Sequence, residues 1–251
     1  MATITHLYRY PFKGLSPEAL QRVSLQAGEA IALDRCFALA HGTTEFEPKA
    51  PQHLAKTHFL MLMKNERLAA LSTVYDHSSG VLHIYQQKQE LISADLEESE
   101  GRQAIERFFA EYLGDEVRGT PQLVQAAGYM FSDVDAKVLS CINLASMREL
   151  EKTLGTEVDH LRFRANVYFD GVPPWTELDW VGQELALGTA KVRGFKVIKR
   201  CAATNVNPET AVRDLEIPQT LFNNYGHPNL GIYVQVVSDG EVAVDDELVV
   251  P

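Results

Sequence analysis

Of the three cysteines in 251 residues, Cys201 sits in the setting most able to do chemistry. It follows Lys199 and Arg200 and precedes Ala202-Ala203-Thr204-Asn205-Val206-Asn207-Pro208-Glu209-Thr210. Adjacent positive charge favours the thiolate, the form that binds metals and attacks electrophiles. The residues behind it are loop formers: Asn-Pro promotes a turn, and Asn and Thr side chains hydrogen-bond nearby backbone. Nucleophile and metal ligand are both open, against the plainer reading of a free cysteine as a small buried hydrophobe. Cys36 and Cys141 lie in apolar runs and are expected in the core.

A few cations stand in turn-like contexts beside small residues: Lys13-Gly14 after Pro11, Arg35 after Asp34, Arg164 within Phe163-Arg164-Ala165-Asn166, and Lys199-Arg200. Converging, they would make an anion site, with the arginines offering bidentate contacts to phosphate. Taken singly, each is better read as a solvated surface cation, and Asp34-Arg35 as a local ion pair of little weight. Other constellations fail. There is no Gly-rich phosphate loop, no His pair at ligand spacing and no Gly-x-Ser-x-Gly elbow. A cysteine hydrolase would need a histidine beside Cys201, and only folding could bring His160 or His227 there.

Composition sets the class. A net charge of −11 argues against nucleic-acid polymers and anionic membranes, which attract basic surfaces. Three scattered cysteines form no disulfide framework and fit a reducing compartment. Met1 to Lys13 has no long apolar run, so neither signal peptide nor membrane anchor is expected, and the protein reads as soluble and cytoplasmic.

The elements that must position these residues are mostly short strands. Strands are expected at Thr3–Tyr10, Arg22–Leu25, Cys36–Ala40, Arg67–Tyr75, Val81–Tyr85, Val167–Phe169, Leu185–Leu187, Lys191–Val197, Ile232–Val237 and Glu241–Val244. Asp76-His77-Ser78-Ser79-Gly80 and Ser238-Asp239-Gly240 carry hairpin signals, and His41 to His58 reads as a loop. Ala104, Ile105, Phe108, Phe109, Tyr112 and Leu113 form an apolar stripe at helical spacing over Ser99–Leu113, closed by Gly114. A second helix is expected over Leu144–Leu154, capped by Asn143 and ended by Gly155. Trp175 and Trp180 are expected to pack a domain edge. The predicted fold is mainly β (α+β), with two β-barrel-like domains, residues 1–120 and 121–251, each with an accessory helix.

Several of these segments together carry a family resemblance. Tyr10-Pro11-Phe12-Lys13-Gly14, Asp34-Arg35, Phe163-Arg164-Ala165-Asn166, Arg200-Cys201-x-x-Thr204-x-Val206-Asn207-Pro208-x-Thr210 and Gly231-Ile232-Tyr233 span nearly the whole chain. The sequence resembles the MOSC-domain proteins in which an N-terminal MOSC-associated β-barrel domain precedes the MOSC domain, as in the amidoxime-reducing component and related bacterial proteins. The resemblance implies that Cys201 is the protein ligand of molybdenum in a pterin-based cofactor, a role suited to soft sulfur. It implies that Lys13, Arg35, Arg164 and Asn166 hold the phosphate and pterin, with a backbone contact at Gly14. Asn143 and Ser146, at a helix N-terminus, would line the pterin pocket. Arg200 would screen the cofactor's charge, and Thr204 and Asn207 would order the cysteine loop. Ala211 and Asp245-Asp246 depart from glycine-bearing positions of relatives and touch none of these residues.

The implied activity is a molybdenum-cofactor oxidoreductase reducing N-hydroxylated or N-oxide small molecules. Three cysteines cannot hold an iron–sulfur cluster as well, so electrons would come from a separate flavin or iron–sulfur reductase. MOSC domains also occur in sulfurases, so a cofactor carrier or sulfur-transfer protein using the same cysteine is the alternative, and a regulatory anion-binding module is a third reading.

Overall fold

The computed structural model describes residues 1–250. The chain runs through β1 (Ala2–Arg9), β2 (Glu18–Leu20), β3 (Arg22–Leu25), β4 (Phe37–Ala40), β5 (Ser72–Asp76), β6 (Val81–Gln86) and β7 (Gln89–Asp95) into α1 (Ser99–Leu113) and β8 (Gln122–Gln125). It continues as β9 (Leu139–Asn143), α2 (Leu144–Leu154), β10 (Val167–Asp170), β11 (Glu184–Leu187), β12 (Ala190–Lys199), α3 (Ile217–Tyr225), β13 (Asn229–Ser238), β14 (Gly240–Ala243) and β15 (Glu247–Val249).

Seven strands close a barrel in the order β10-β9-β13-β12-β11-β15-β1, sealed by pairing of β1 with β10. Only β9 and β10 run parallel; the other ladders are antiparallel. Alternate residues of each strand face inward, as pleating requires, and Ile4, Cys141, Phe169, Leu187, Ile232 and Val234 fill the interior. Trp180 belongs to this core, stacked on Phe169 at 5.3 Å between ring centroids, rather than to a domain edge. The closing strand comes from the opposite end of the chain: Leu7 pairs with Val167 and Thr3 with Glu247.

Between β1 and β9 the chain builds a second core. The β5-β6-β7 sheet and the β4-β8 pair pack with α1 around Phe12, Phe37, Leu82, Ile84 and Phe109. These strands are hydrogen-bonded as a pair and a three-stranded sheet, without a second closed ring. The fold is thus mainly β, with helices added. α1 spans the expected residues, burying Ile105, Phe109 and Leu113 and ending at Gly114 with φ +57°. α2 does so as well: Asn143 Oδ1 accepts the Ala145 amide at 3.0 Å, and Gly155 ends the helix in the left-handed region. No helix among the described residues is long and apolar enough to cross a membrane.

Three local expectations need correction. Only Ser72–Asp76 of the Arg67–Tyr75 run is strand; Glu66–Ala70 coils into a 3-10 turn that buries Leu68, its start held by Asn65 Oδ1 accepting the Met61 amide at 3.1 Å. Ser238-Asp239-Gly240 makes no hairpin, because β14 pairs with β3 instead. There Asp239 accepts the Ala27 amide at 2.7 Å, and Gly240 passes so close to Ala190 that a Cβ would meet its nitrogen at 2.4 Å. Finally, α3 gives the C-terminal half a second helix. Its Pro- and Asn-rich sequence has weak helix propensity, and burial of Ile217 and Leu221 against α2 and its surroundings supplies what propensity lacks.

Candidate functional site

Residues on β9 and β13 that alternate with the inward-facing Cys141 and Ile232 point to the outside of the barrel. Ser140 and Tyr233 are among them, and with Asn166 they form one wall of a cleft. The opposite wall comes from the N-terminal half: Lys13-Gly14 after β1, Arg35, Lys56, Met61 to Met63, and the Met130 to Asp133 segment. The cavity between these walls is about 140 Å³. Cys201 enters it where β12 ends, half-buried. Its carbonyl accepts both the Thr204 amide and the Thr204 hydroxyl at 3.0 Å, which fixes the turn that presents the thiol.

The cations converge. Lys13, Arg35, Lys56, Arg162, Arg164, Lys199 and Arg200 line the cleft with a single carboxylate, Asp133, in a chain whose net charge is −11. Lys13 is buried and donates to Phe131 O at 3.0 Å and to Asp133 at 2.5 Å. Burial pulls its pKa below the ordinary lysine value, with Asp133 opposing. Arg35 and Arg164 both lie over the Tyr10 ring, their guanidinium carbons 4.8 and 4.3 Å from its centroid, a contact that suits the planar, weakly hydrated group. Both have left-handed backbones, φ 51° and 52°, a conformation costing about 1 kcal/mol or more at non-glycine residues and typical of sites where geometry is over-determined. The local bonds that hold it run from the Arg35 amide to Tyr10 O at 2.6 Å and from the Phe131 amide to Arg35 O at 2.8 Å. Burial lowers the Arg164 pKa to about 10.

Asp34-Arg35 is not the weak surface pair the sequence suggests. Asp34 is buried, accepts the Tyr10 amide at 2.7 Å through Oδ1 and takes Arg35 on Oδ2. Burial opposes the charge on Arg35, but Asp34 and the Tyr10 ring outweigh it and leave its pKa raised. Arg35 also donates to Arg164 O at 2.7 Å, so the two arginines are tied together. Arg200 lies on the Phe163 ring, donating to Leu230 O at 2.7 Å and Phe163 O at 3.2 Å, while its buried Nη2 has no partner.

Not every expected residue reaches the cleft. Gly14 does, with φ +84° and Leu60 O 3.3 Å from where a Cβ would stand. Asn166 lines it, but its amide is engaged: Oδ1 accepts from Ser140 N, Ser140 Oγ and Arg35, and Nδ2 donates to Tyr8 O. Asn143 and Ser146 are fully buried elsewhere, donating to Glu177 at 3.2 and 2.8 Å. They cap and brace the α2 N-terminus, and burial raises the Glu177 pKa. Asn207 stands behind the cysteine loop, its Oδ1 accepting the Glu209 amide at 2.9 Å and its Nδ2 donating to Asp214 at 2.8 Å. Cys36 and Cys141 are both pushed up to about 12 by burial. His160 bonds Tyr8, and neither it nor His227 lines the cleft, so Cys201 has no histidine partner there.

Sequence reasoning passed over Lys56, Asp133 and Tyr233. Lys56 lies 3.6 Å from Asp133. Burial works against its charge, but Asp133 and the neighbouring Cys201 sulfur leave its pKa raised. Asp133 itself is held down to about 2: burial opposes ionisation, and Lys13, Lys56 and Arg35 overcome it. Lys56 stands in a segment with no periodicity, so nothing local marks it.

Residues 1–134 match the MOSC N-terminal beta barrel domain, and residues 128–249 match the MOSC domain. The chain belongs to the MOSC family. The cleft lies between the parts covered by these two matches, and Asp133 falls where they overlap. The MOSC domain is associated with molybdenum-cofactor binding. Among curated relatives, mitochondrial amidoxime reducing component 2 of Bos taurus is 25% identical over 130 residues, covering 47% of this chain and 38% of its own length. The Rattus norvegicus protein of the same name is 23% identical over 184 residues, 62% of this chain and 54% of its own length. This MOSC chain thus spans about half or less of the length of those relatives. Among solved structures, the YuaD protein of Bacillus subtilis aligns over 99% of this chain and 94% of its own at 14% identity, with a TM-score of 0.46. YiiM of Geobacillus stearothermophilus aligns over 45% of this chain and 53% of its own at 21% identity, with a TM-score of 0.36.

Proposed function

We propose that the cleft holds a pterin-based molybdenum cofactor with Cys201 as the thiolate ligand, and that the protein reduces N-hydroxylated or N-oxide compounds with electrons from a separate redox protein. The observation that carries this is the convergence of one half-buried thiol with seven cationic side chains in an otherwise acidic protein. The donor set suits the group: soft sulfur for the metal, and guanidinium and ammonium groups for phosphate. Arg200 Nη2, buried without a partner, is a donor left over for an anion.

When bound, the cofactor supplies redox chemistry that no side chain here can. The protein's part is binding, orientation and electrostatics. Lys13, Arg35 and Arg164 counter the anionic end, and contact with the Tyr10 ring helps to position the two guanidiniums. Gly14 lets backbone approach where a side chain would intrude on Leu60 O. Lys56 and Arg200 place positive charge beside the sulfur. Thr204 and Asn207 hold the loop that aims it.

The test is metal and pterin content after expression in a molybdenum-replete host. Near-stoichiometric molybdenum and an oxidised-pterin fluorescence signal are expected, both lost in Cys201→Ala while the fold persists. Absence of molybdenum from the unaltered protein would overturn the assignment. Consumption of benzamidoxime by the loaded protein with a chemical reductant then separates an enzyme from a carrier, which would bind the cofactor and turn nothing over.

A further inference from the structure

A second cavity adjoins the first. It has a volume of about 340 Å³, and Leu15, Leu62, Leu68, Leu71, Leu161 and Val206 are among the residues that wall it. Gly14, Leu62, Arg162, Arg164 and Ala203 line both spaces, so the two share one wall, and Gly14 and Ala203 leave that wall thin. Ala203 is two residues from Cys201. The cavity therefore lies next to the cleft that holds Cys201, with Gly14 and Ala203 in the wall between them.

The electrostatics of the two spaces differ. Arg162 pairs with Asp214 at 2.7 Å and donates to Asn205 O, and Arg164 donates to Leu15 O and lies over the Tyr10 ring. Beyond these, Lys88 and Glu209 stand exposed with opposite signs. The partly exposed side chains of Leu62 and Leu161 would gain from apolar cover. Ser16, Ser72 and Gln87 add neutral polar groups to the leucine-rich wall, and ligand sites likewise combine apolar surface with polar groups that orient the ligand.

We propose that this cavity takes the uncharged, apolar body of the substrate, an aryl or alkyl group, and directs a small polar N-hydroxylated head across the Gly14–Ala203 wall toward Cys201. The assignment rests on the function proposed above for the identity of the head group, and on the cavity alone for the apolar body. Specificity then lies in the hydrophobic tail.

The experiment titrates cofactor-free protein with benzamidoxime and its 4-methyl and 4-butyl derivatives by calorimetry, in the unaltered chain and in Ala70→Phe, which fills the cavity from the 3-10 turn. Affinity is expected to rise by about two- to fourfold per methylene, the increment of partial to full burial. Ala70→Phe should abolish that increment while leaving molybdenum content in the loaded protein unchanged. Methyl resonances of Leu68, Leu71 and Val206 in the unaltered protein should shift on adding the butyl compound, and those of Val158 near α2 should not. A flat series, or shifts confined to other methyls, overturns the proposal whether or not the variant folds. Molybdenum-free protein with an intact alkyl increment would instead refute only the cofactor assignment.

Discussion

Removing the one carboxylate from the cationic cleft tests the electrostatics directly, because it should push stability and anion affinity in opposite directions. In Asp133→Asn the Lys13 ammonium, 9% exposed, keeps Phe131 O at 3.0 Å but loses its counter-charge at 2.5 Å, and Lys56 loses one at 3.6 Å. Stripping a partner from a fully buried pair costs about 3–5 kcal/mol, and an exposed pair is worth about 0.2–1. The Asp133 side chain is 43% exposed, so water screens the pair and a loss of about 1–2 kcal/mol is expected. The pH profile carries a sign. The folded pKa of Asp133, about 2, lies below its unfolded value, so its stabilisation is full above about pH 4 and lost as pH falls toward 2. The pKa of Lys13 is lowered by folding, so the cost of charging it persists at low pH and is relieved as pH rises toward the unfolded value. That cost is larger in the variant. The stability deficit should therefore peak near neutrality and shrink in both directions. Urea denaturation at pH 3, 7 and 10, with and without phosphate, reads all of this: phosphate should stabilise the variant more than the parent, since the anion replaces the missing charge. A deficit constant across pH, or a smaller response to phosphate, would refute the reasoning.

Arg213→Ala should loosen the cysteine loop, because its guanidinium joins Ala202 O at 2.8 Å to Leu62 O, Met63 O and Glu66 at 2.9–3.0 Å across the cleft; faster thiol labelling of Cys201 with a thermal midpoint nearly unchanged is the expected result. Gly231→Ala should cost about 2–4 kcal/mol by urea denaturation, since φ is +83° and the new Cβ would stand 2.6 Å from Cys141 O. Asn143→Ala should cost about 1–2 kcal/mol, the loss of a helix cap and of a donor to Glu177, while molybdenum content stays at the parental level, because the residue does not line the cleft.

What was legible in the sequence follows the range of the forces involved. α1 and α2 have their stripe, cap and terminal glycine within one segment, so local reading finds them whole. Lys13, Arg35, Arg164 and Cys201 stand out because glycine, turn residues or a second cation adjoin them, and the fold brings all four to one cleft. Lys56 and Asp133 carry no such mark; only the meeting of segments 77 residues apart gives them roles. For Asn143 and Ser146 the helix start was correct and the face was not. Which side of the α2 N-terminus meets the cleft depends on Glu177, a buried carboxylate supplied from beyond β10. Strand pairing was least visible, since β14 chose β3 over its chain neighbour.

The pairing of Thr3 with Glu247 also sets a timetable for synthesis. At about 5–20 residues per second, the first strand would leave the ribosome roughly 12–50 s before its last partner is made. During that interval β1 carries an unpaired edge and the apolar face of Ile4 and Leu7, features that invite pairing with other chains. The core around α1 has its strands complete by Gln125 and can form meanwhile. The cleft, whose lining runs from Lys13 to Tyr233, would take shape only late in synthesis, and a cofactor could be admitted only then.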